Sequence, residues 1–168
     1  MPRKLIIYSF LTFVMLPMSA ILGIMGVFIL FAAFGNPAAM LDVFIFATFV
    51  LYSFSSYSFL IRGVQKGIPF KASFKDFIKV NGYAALIVSV LIVVSALLFF
   101  TVPTLKNMVL ANLVNSQLQG GVDAARLNAM LTKVLPMVAG YCILVSTHFI
   151  LSLQLLKRYG QLFVKQQL

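Results

Sequence analysis

Leu5 to Phe34 reads LIIYSFLTFVMLPMSAILGIMGVFILFAAF, thirty residues without a charge. At about 1.5 Å of helical rise per residue this run reaches about 45 Å, more than the roughly 30 Å of hydrocarbon in a bilayer. It is therefore a membrane span with residues to spare. We place the span at about residues 6–34, with Tyr8, Ser9 and Thr12 expected at the interface and a kink or helix start near Pro17, whose ring removes one intrahelical donor. Met1 to Lys4 followed by an apolar run resembles a secretory leader superficially. The run is about twice the length of a leader's apolar core, so we read it as an uncleaved first span.

The rest of the chain repeats the theme. The 168 residues are 62% hydrophobic and only 10% charged, where an ordinary soluble domain has about a quarter of its residues charged. Gly35-Asn36-Pro37 breaks the first run with strong turn chemistry. Further spans are expected at about residues 43–61, 81–102 (stopping at Pro103) and 135–156 (stopping at Lys157 and Arg158). Backbone groups in hydrocarbon must be satisfied internally, and no alternating barrel-type strands are present, so the spans are helices. The expected fold is all-α: a single transmembrane domain, residues 1–168, built as a four-helix transmembrane bundle.

Direction follows from the basic residues. The chain carries 13 Lys and Arg against three acids, all aspartates, for a net charge of +10. Arg3 and Lys4 precede the first span, Arg62, Lys66, Lys71, Lys75 and Lys79 fill the second connection, and Lys157, Arg158 and Lys165 follow the fourth. The remaining connections hold only Lys106, Arg126 and Lys133. The positive-inside rule then places both termini in the cytoplasm, and it accounts for the basic charge without nucleic acid. The expected location is the inner, or plasma, membrane.

Two connections carry more than a turn. In Pro69 to Lys79, the residues Phe70, Phe74, Phe77 and Ile78 share one helical face, and Lys71, Lys75 and Lys79 recur every four residues beside it. This pattern predicts a short amphipathic elbow helix at the cytoplasmic surface, opened by Pro69 after Gly67 ends the second span. Arg62, Lys66, Lys71, Lys75 and Lys79 are then candidate contacts for anionic lipid headgroups of the cytoplasmic leaflet, a solvated elbow being the plainer alternative. The outer connection, residues 103–134, is too long for a structureless loop. Its apolar stripes, Leu110, Leu113, Val114 and Leu118, then Leu127, Met130, Leu131, Val134 and Leu135, predict an outer-face helical hairpin broken at Gly120-Gly121, its second arm running into the fourth span at Pro136.

Few residues could carry chemistry. His148 is the one histidine, centred in the fourth span, with Tyr141 one heptad before it and Ser152 one turn after. An ionisable side chain inside a membrane is a functional candidate because it is costly in lipid, although a hydrogen-bonded neutral imidazole also serves as glue between helices. Asp42, Asp76 and Asp123 all fall at span edges or in connections. That leaves no orienting acid for a Ser/His pair, no paired carboxylates and no zinc ligand set, so no catalytic residue, metal or cofactor is expected. Cys142 stands alone and forms no intrachain disulfide. Ser53, Ser56 and Tyr57 share a face of the second span, and Ser19, Gly23 and Gly26 mark the first; small residues of this kind let helices approach closely.

At Gly67-Ile68-Pro69-Phe70-Lys71-Ala72-Ser73-Phe74-Lys75, followed by Gly82, the chain resembles a bacterial family of four-span inner-membrane proteins catalogued as a domain of unknown function. The resemblance implies a layout, with a short Gly, Phe, Ala-Phe-Lys connection between spans two and three and a polar helical stretch between three and four. It implies no activity. The chain departs from the family in having no Glu in its outer connection, where the family is acidic.

The leading expectation is a non-enzymatic membrane protein, an accessory or scaffold subunit packed against other membrane subunits or copies of itself. The alternative is a small transporter, channel or lipid-binding protein with a pathway between Ser56 and His148. A membrane enzyme dependent on a partner comes third.

Overall fold

The computed structural model describes residues 3–34, 36–116 and 123–164. Its long elements are five helices: α1 (Arg3–Ala32), α2 (Pro37–Ser58), α3 (Ala72–Thr101), α4 (Pro103–Ser116) and α5 (Ala124–Arg158). Among the described residues, four helical stretches are long and apolar enough to cross a membrane: Arg3–Ala32, Met40–Gln65, Ala72–Thr101 and Ala124–Arg158. The chain thus has the make-up of a multi-pass membrane protein.

Helix α1 passes through Pro17 without interruption. After it, the Asn36 carbonyl takes the Met40 N–H at 3.2 Å. Asn36 therefore caps α2, and Pro37 occupies the first helical position, where a missing N–H costs nothing. Gly35 lies outside the described residues, as do Gly120, Gly121 and Lys165. Helix α2 continues as a wider π-helical segment, Phe59–Gln65. Gly67 closes it with φ +67°, its N–H bonded to the Gly63 carbonyl at 2.9 Å and the next N–H, of Ile68, to the Arg62 carbonyl at 2.9 Å. Only a residue without a β-carbon adopts that left-handed conformation freely.

The separate elbow helix expected at Pro69 to Lys79 does not form. Phe70–Lys71 is a two-residue strand, β1, paired in parallel with β2 (Phe163–Val164), and residues from Ala72 onward are the opening turns of α3. Nothing between Lys79 and Asn81 stops a helix, and Gly82, which could weaken one, is held by packing. A β-carbon there would run into the Phe149 ring and lie 3.0 Å from Tyr52 Cε2. Helix α3 ends before Pro103, which disfavours helical geometry in the residue preceding it. Pro103 then opens α4. The second arm of the expected hairpin does run into the fourth span, α5 continuing through Pro136.

Two compact units emerge, residues 1–88 with 144–168, and residues 89–143. In the first, α1 and α2 are tightly joined: Ser19 Oγ donates to Ser53 Oγ at 2.6 Å, and a β-carbon on Gly23 or Gly26 would lie 3.5 Å from Val50 Cγ2 or 3.3 Å from Phe46 Cβ. Lys4 Nζ donates to Gln154 Oε1 at 2.8 Å, tying the start of α1 to the end of α5. In the second unit, Ser95, Leu98 and Phe99 of α3, Leu105 and Val109 of α4, and Leu131 and Leu135 of α5 line an apolar groove of about 270 Å3. Lys106 Nζ lies 5.6 Å from the Phe99 ring centroid.

Candidate functional site: a buried polar seam

The polar side chains of the first unit converge on His148. Tyr8, Tyr52, Ser56, His148 and Ser152 are all 0% exposed, and Thr12 is 2% exposed. Helical periodicity puts them there. Leu5, Tyr8, Thr12, Met15, Ser19 and Gly26 form one buried stripe of α1, and Tyr52 and Ser56 stand one turn apart on α2, as His148 and Ser152 do on α5.

The hydrogens in this seam can be assigned by counting. Thr12 Oγ1 donates to the Tyr8 carbonyl at 2.7 Å, so its one hydrogen is committed. Its 2.8 Å contact with His148 Nε2 must then carry the imidazole hydrogen. In the neutral ring the other nitrogen is an acceptor, and Nδ1 takes the Tyr52 hydroxyl hydrogen at 2.8 Å. Tyr52 in turn accepts from Ser152 Oγ at 2.9 Å. A longer contact, 3.4 Å, joins Ser152 Oγ to the Tyr8 hydroxyl, which itself donates to the Ser56 carbonyl at 3.5 Å.

Aromatic contacts hold the ring in place. Tyr8 stacks on His148 with centroids 4.4 Å apart and planes 15° from parallel, and Tyr52 meets it edge-on at 5.6 Å. Phe149 then carries the packing to α3, through Tyr83 at 5.0 Å and through Gly82. Both ring nitrogens of His148 are thus engaged by protein hydroxyls inside a closed core. A buried polar group so satisfied holds helices in register.

Of the intramembrane candidates, Ser56 joins this seam through its carbonyl, which accepts from the Tyr8 hydroxyl, but its Oγ is buried without a hydrogen-bond partner among the described residues. Tyr141 belongs to the second unit. Tyr8 and Thr12, whose polarity suggested the interface, are buried between helices. They and Tyr52 are the partners that sequence reasoning missed; the signal was the recurrence of positions 8, 12, 15 and 19 on one helical face.

At one end of the same unit, the candidate headgroup residues separate into two groups. Arg62 lies over the Phe70 ring and Lys75 over the Phe163 ring, each 5.8 Å from the centroid. Phe163 also stacks with Phe59 at 5.8 Å and with Phe70 at 6.2 Å, so these two cations belong to the clasp around β1 and β2. Lys66 and Lys71 are exposed and Lys79 is half-buried. Among the described residues no three His, Cys, Asp or Glu side chains are grouped closely enough to hold a metal ion. Comparisons of the chain with protein-family models, curated proteins and solved structures returned no match.

Proposed function

We propose that the chain is a non-enzymatic, multi-pass inner-membrane protein, an accessory or scaffold subunit whose spans pack against helices of other subunits or of further copies, with both termini cytoplasmic. The observation that carries this reading is the state of His148. The side chain best suited to chemistry in the spans has both nitrogens occupied by Thr12 and Tyr52 and no exposed surface. Its role on this reading is to join α1, α2 and α5.

The outward surfaces support the same conclusion. Phe10, Phe28 and Phe31 of α1 and Leu91 and Leu97 of α3 are each at least 60% exposed, apolar area suited to lipid or to partner helices. The asymmetry of the basic residues supports the orientation, and anionic lipids of the cytoplasmic leaflet are the expected lipid contacts.

A small transporter, channel or lipid-binding protein is the second reading. As a transporter or channel it needs a hydrated path between Ser56 and His148, and their complete burial beside packed rings weighs against one. An enzyme reading needs a partner to supply an acid or a cofactor. Extraction into native lipid particles without detergent, followed by mass determination, tests the proposal. A companion protein at fixed stoichiometry, or a defined homo-oligomer, supports it. A lone chain carrying a retained small molecule other than a membrane lipid overturns it in favour of transport.

A further inference from the structure

The clasp at the end of α2 leaves an open groove of about 470 Å3 lined by Phe70, Lys71, Ser73, Phe74 and Phe77. Its wall is a ladder of phenyl rings: Phe70 stacks on Phe74 at 4.5 Å and 18°, and Phe74 on Phe77 at 6.4 Å and 15°. Lys71 and Ser73 at its edge are exposed. Arg62 and Lys75 are drawn to ring faces nearby, which leaves Lys71 as the cation bordering the groove.

We propose that this groove holds one anionic phospholipid, its phosphate at the Lys71 ammonium and the Ser73 hydroxyl and its upper acyl chain along Phe70, Phe74 and Phe77. Two features select this occupant. The connection holds five basic residues against Asp76 alone, which calls for an anion. An apolar wall directly beside the cation calls for an amphiphile rather than a free phosphate, and the groove lies where a charged connection meets an apolar span, the level of lipid headgroups. The inference rests on the chain spanning a membrane and is independent of whether it has a partner subunit.

The chain contains no tryptophan, so Phe77→Trp makes a single reporter in the full-length protein. The variant is inserted into phosphatidylcholine vesicles in which either phosphatidylglycerol or phosphatidylcholine, at the same mole fraction, carries brominated acyl chains. The proposal expects stronger quenching by the brominated phosphatidylglycerol, and a preference reduced about five-fold by Lys71→Ala, the factor for one Lys at an anionic surface. Leu97→Trp, on the exposed apolar face of α3, should be quenched equally by both lipids.

Equal quenching by the two lipids at position 77, or a preference that survives Lys71→Ala, overturns the proposal. An indole at 77 shielded from both lipids while one at 97 is quenched assigns the groove to a protein segment and also overturns it. No quenching at either position means the membrane reading itself has failed. Should Phe77→Trp perturb the clasp, phosphatidylglycerol retained by the unsubstituted protein and by Lys71→Ala is counted by native mass spectrometry instead. Greater retention by the unsubstituted protein supports the site, and equal retention overturns it.

Discussion

Thr12 and His148, 136 positions apart in the chain, are joined by a 2.8 Å contact between Oγ1 and Nε2, and because the Thr12 hydrogen goes to the Tyr8 carbonyl, the imidazole is the donor. That contact links α1 to α5, and the Tyr52 bond to Nδ1 adds α2. One side chain thus sets the register of three helices.

Replacing His148 by Ala is expected to lower unfolding stability by about 2 to 4 kcal/mol, since it opens a cavity beside Tyr8 and Tyr52 and removes the nitrogen that accepts the Tyr52 hydroxyl hydrogen. A double-mutant cycle with Thr12→Val isolates the single bond. The expected coupling is about 0.6 to 1.7 kcal/mol, the range for interhelical hydrogen bonds in membranes. Reversible unfolding in micelles measures both.

Gly82→Ala is expected to destabilise by about 1 to 3 kcal/mol, because the added methyl meets the Phe149 ring in an already filled core. Gly140→Ala, also in a helix interior, has open space around the new methyl. It should be neutral or stabilising by up to about 1 kcal/mol. Thermal melting of the two variants side by side checks the contrast.

Leu at Gly23 or Gly26 should weaken the contact between α1 and α2 within one chain, because both positions face α2 at contact distance. The expected result is a lower melting temperature even for monomeric protein at high dilution. A loss of assembly with unchanged monomer stability would instead make these glycines an intermolecular surface.

Gly67→Ala is expected to cost about 1 to 2 kcal/mol through the left-handed backbone alone, since no atom lies within 4 Å of the added methyl. Melting of Gly67→Ala beside Gly67→Asn checks the cause. Asn tolerates this conformation and should recover part of the loss.

The spans are legible in the sequence because charge-free length and helix-stopping residues are local properties. Leu5 to Phe34, Gly67 and Pro103 each act within a few positions of themselves. The elbow is not legible, because the face shared by Phe70, Phe74 and Phe77 is equally that of an interfacial helix and of the first turns of a span. What distinguishes the two is the pairing of Phe70 and Lys71 with Phe163 and Val164, ninety-three positions away. The seam is half legible for the same reason. Periodicity puts Ser152 beside His148 and Ser56 beside Tyr52, but it cannot say that Thr12 of another helix meets Nε2. Tyr8 and Thr12 look interfacial when only their polarity and their place near the first charges are weighed.

Whether water reaches the seam separates a helix-joining role for His148 from a place on a transport path. Ser56→Cys in a Cys142→Ser background places a single thiol within the buried seam, where Ser56 is 0% exposed. A small water-soluble thiol reagent is then applied to the protein in membranes. A closed seam that holds helices together predicts no labelling until the protein is unfolded; rapid labelling of the folded protein would reveal a hydrated path between Ser56 and His148 and would contradict it.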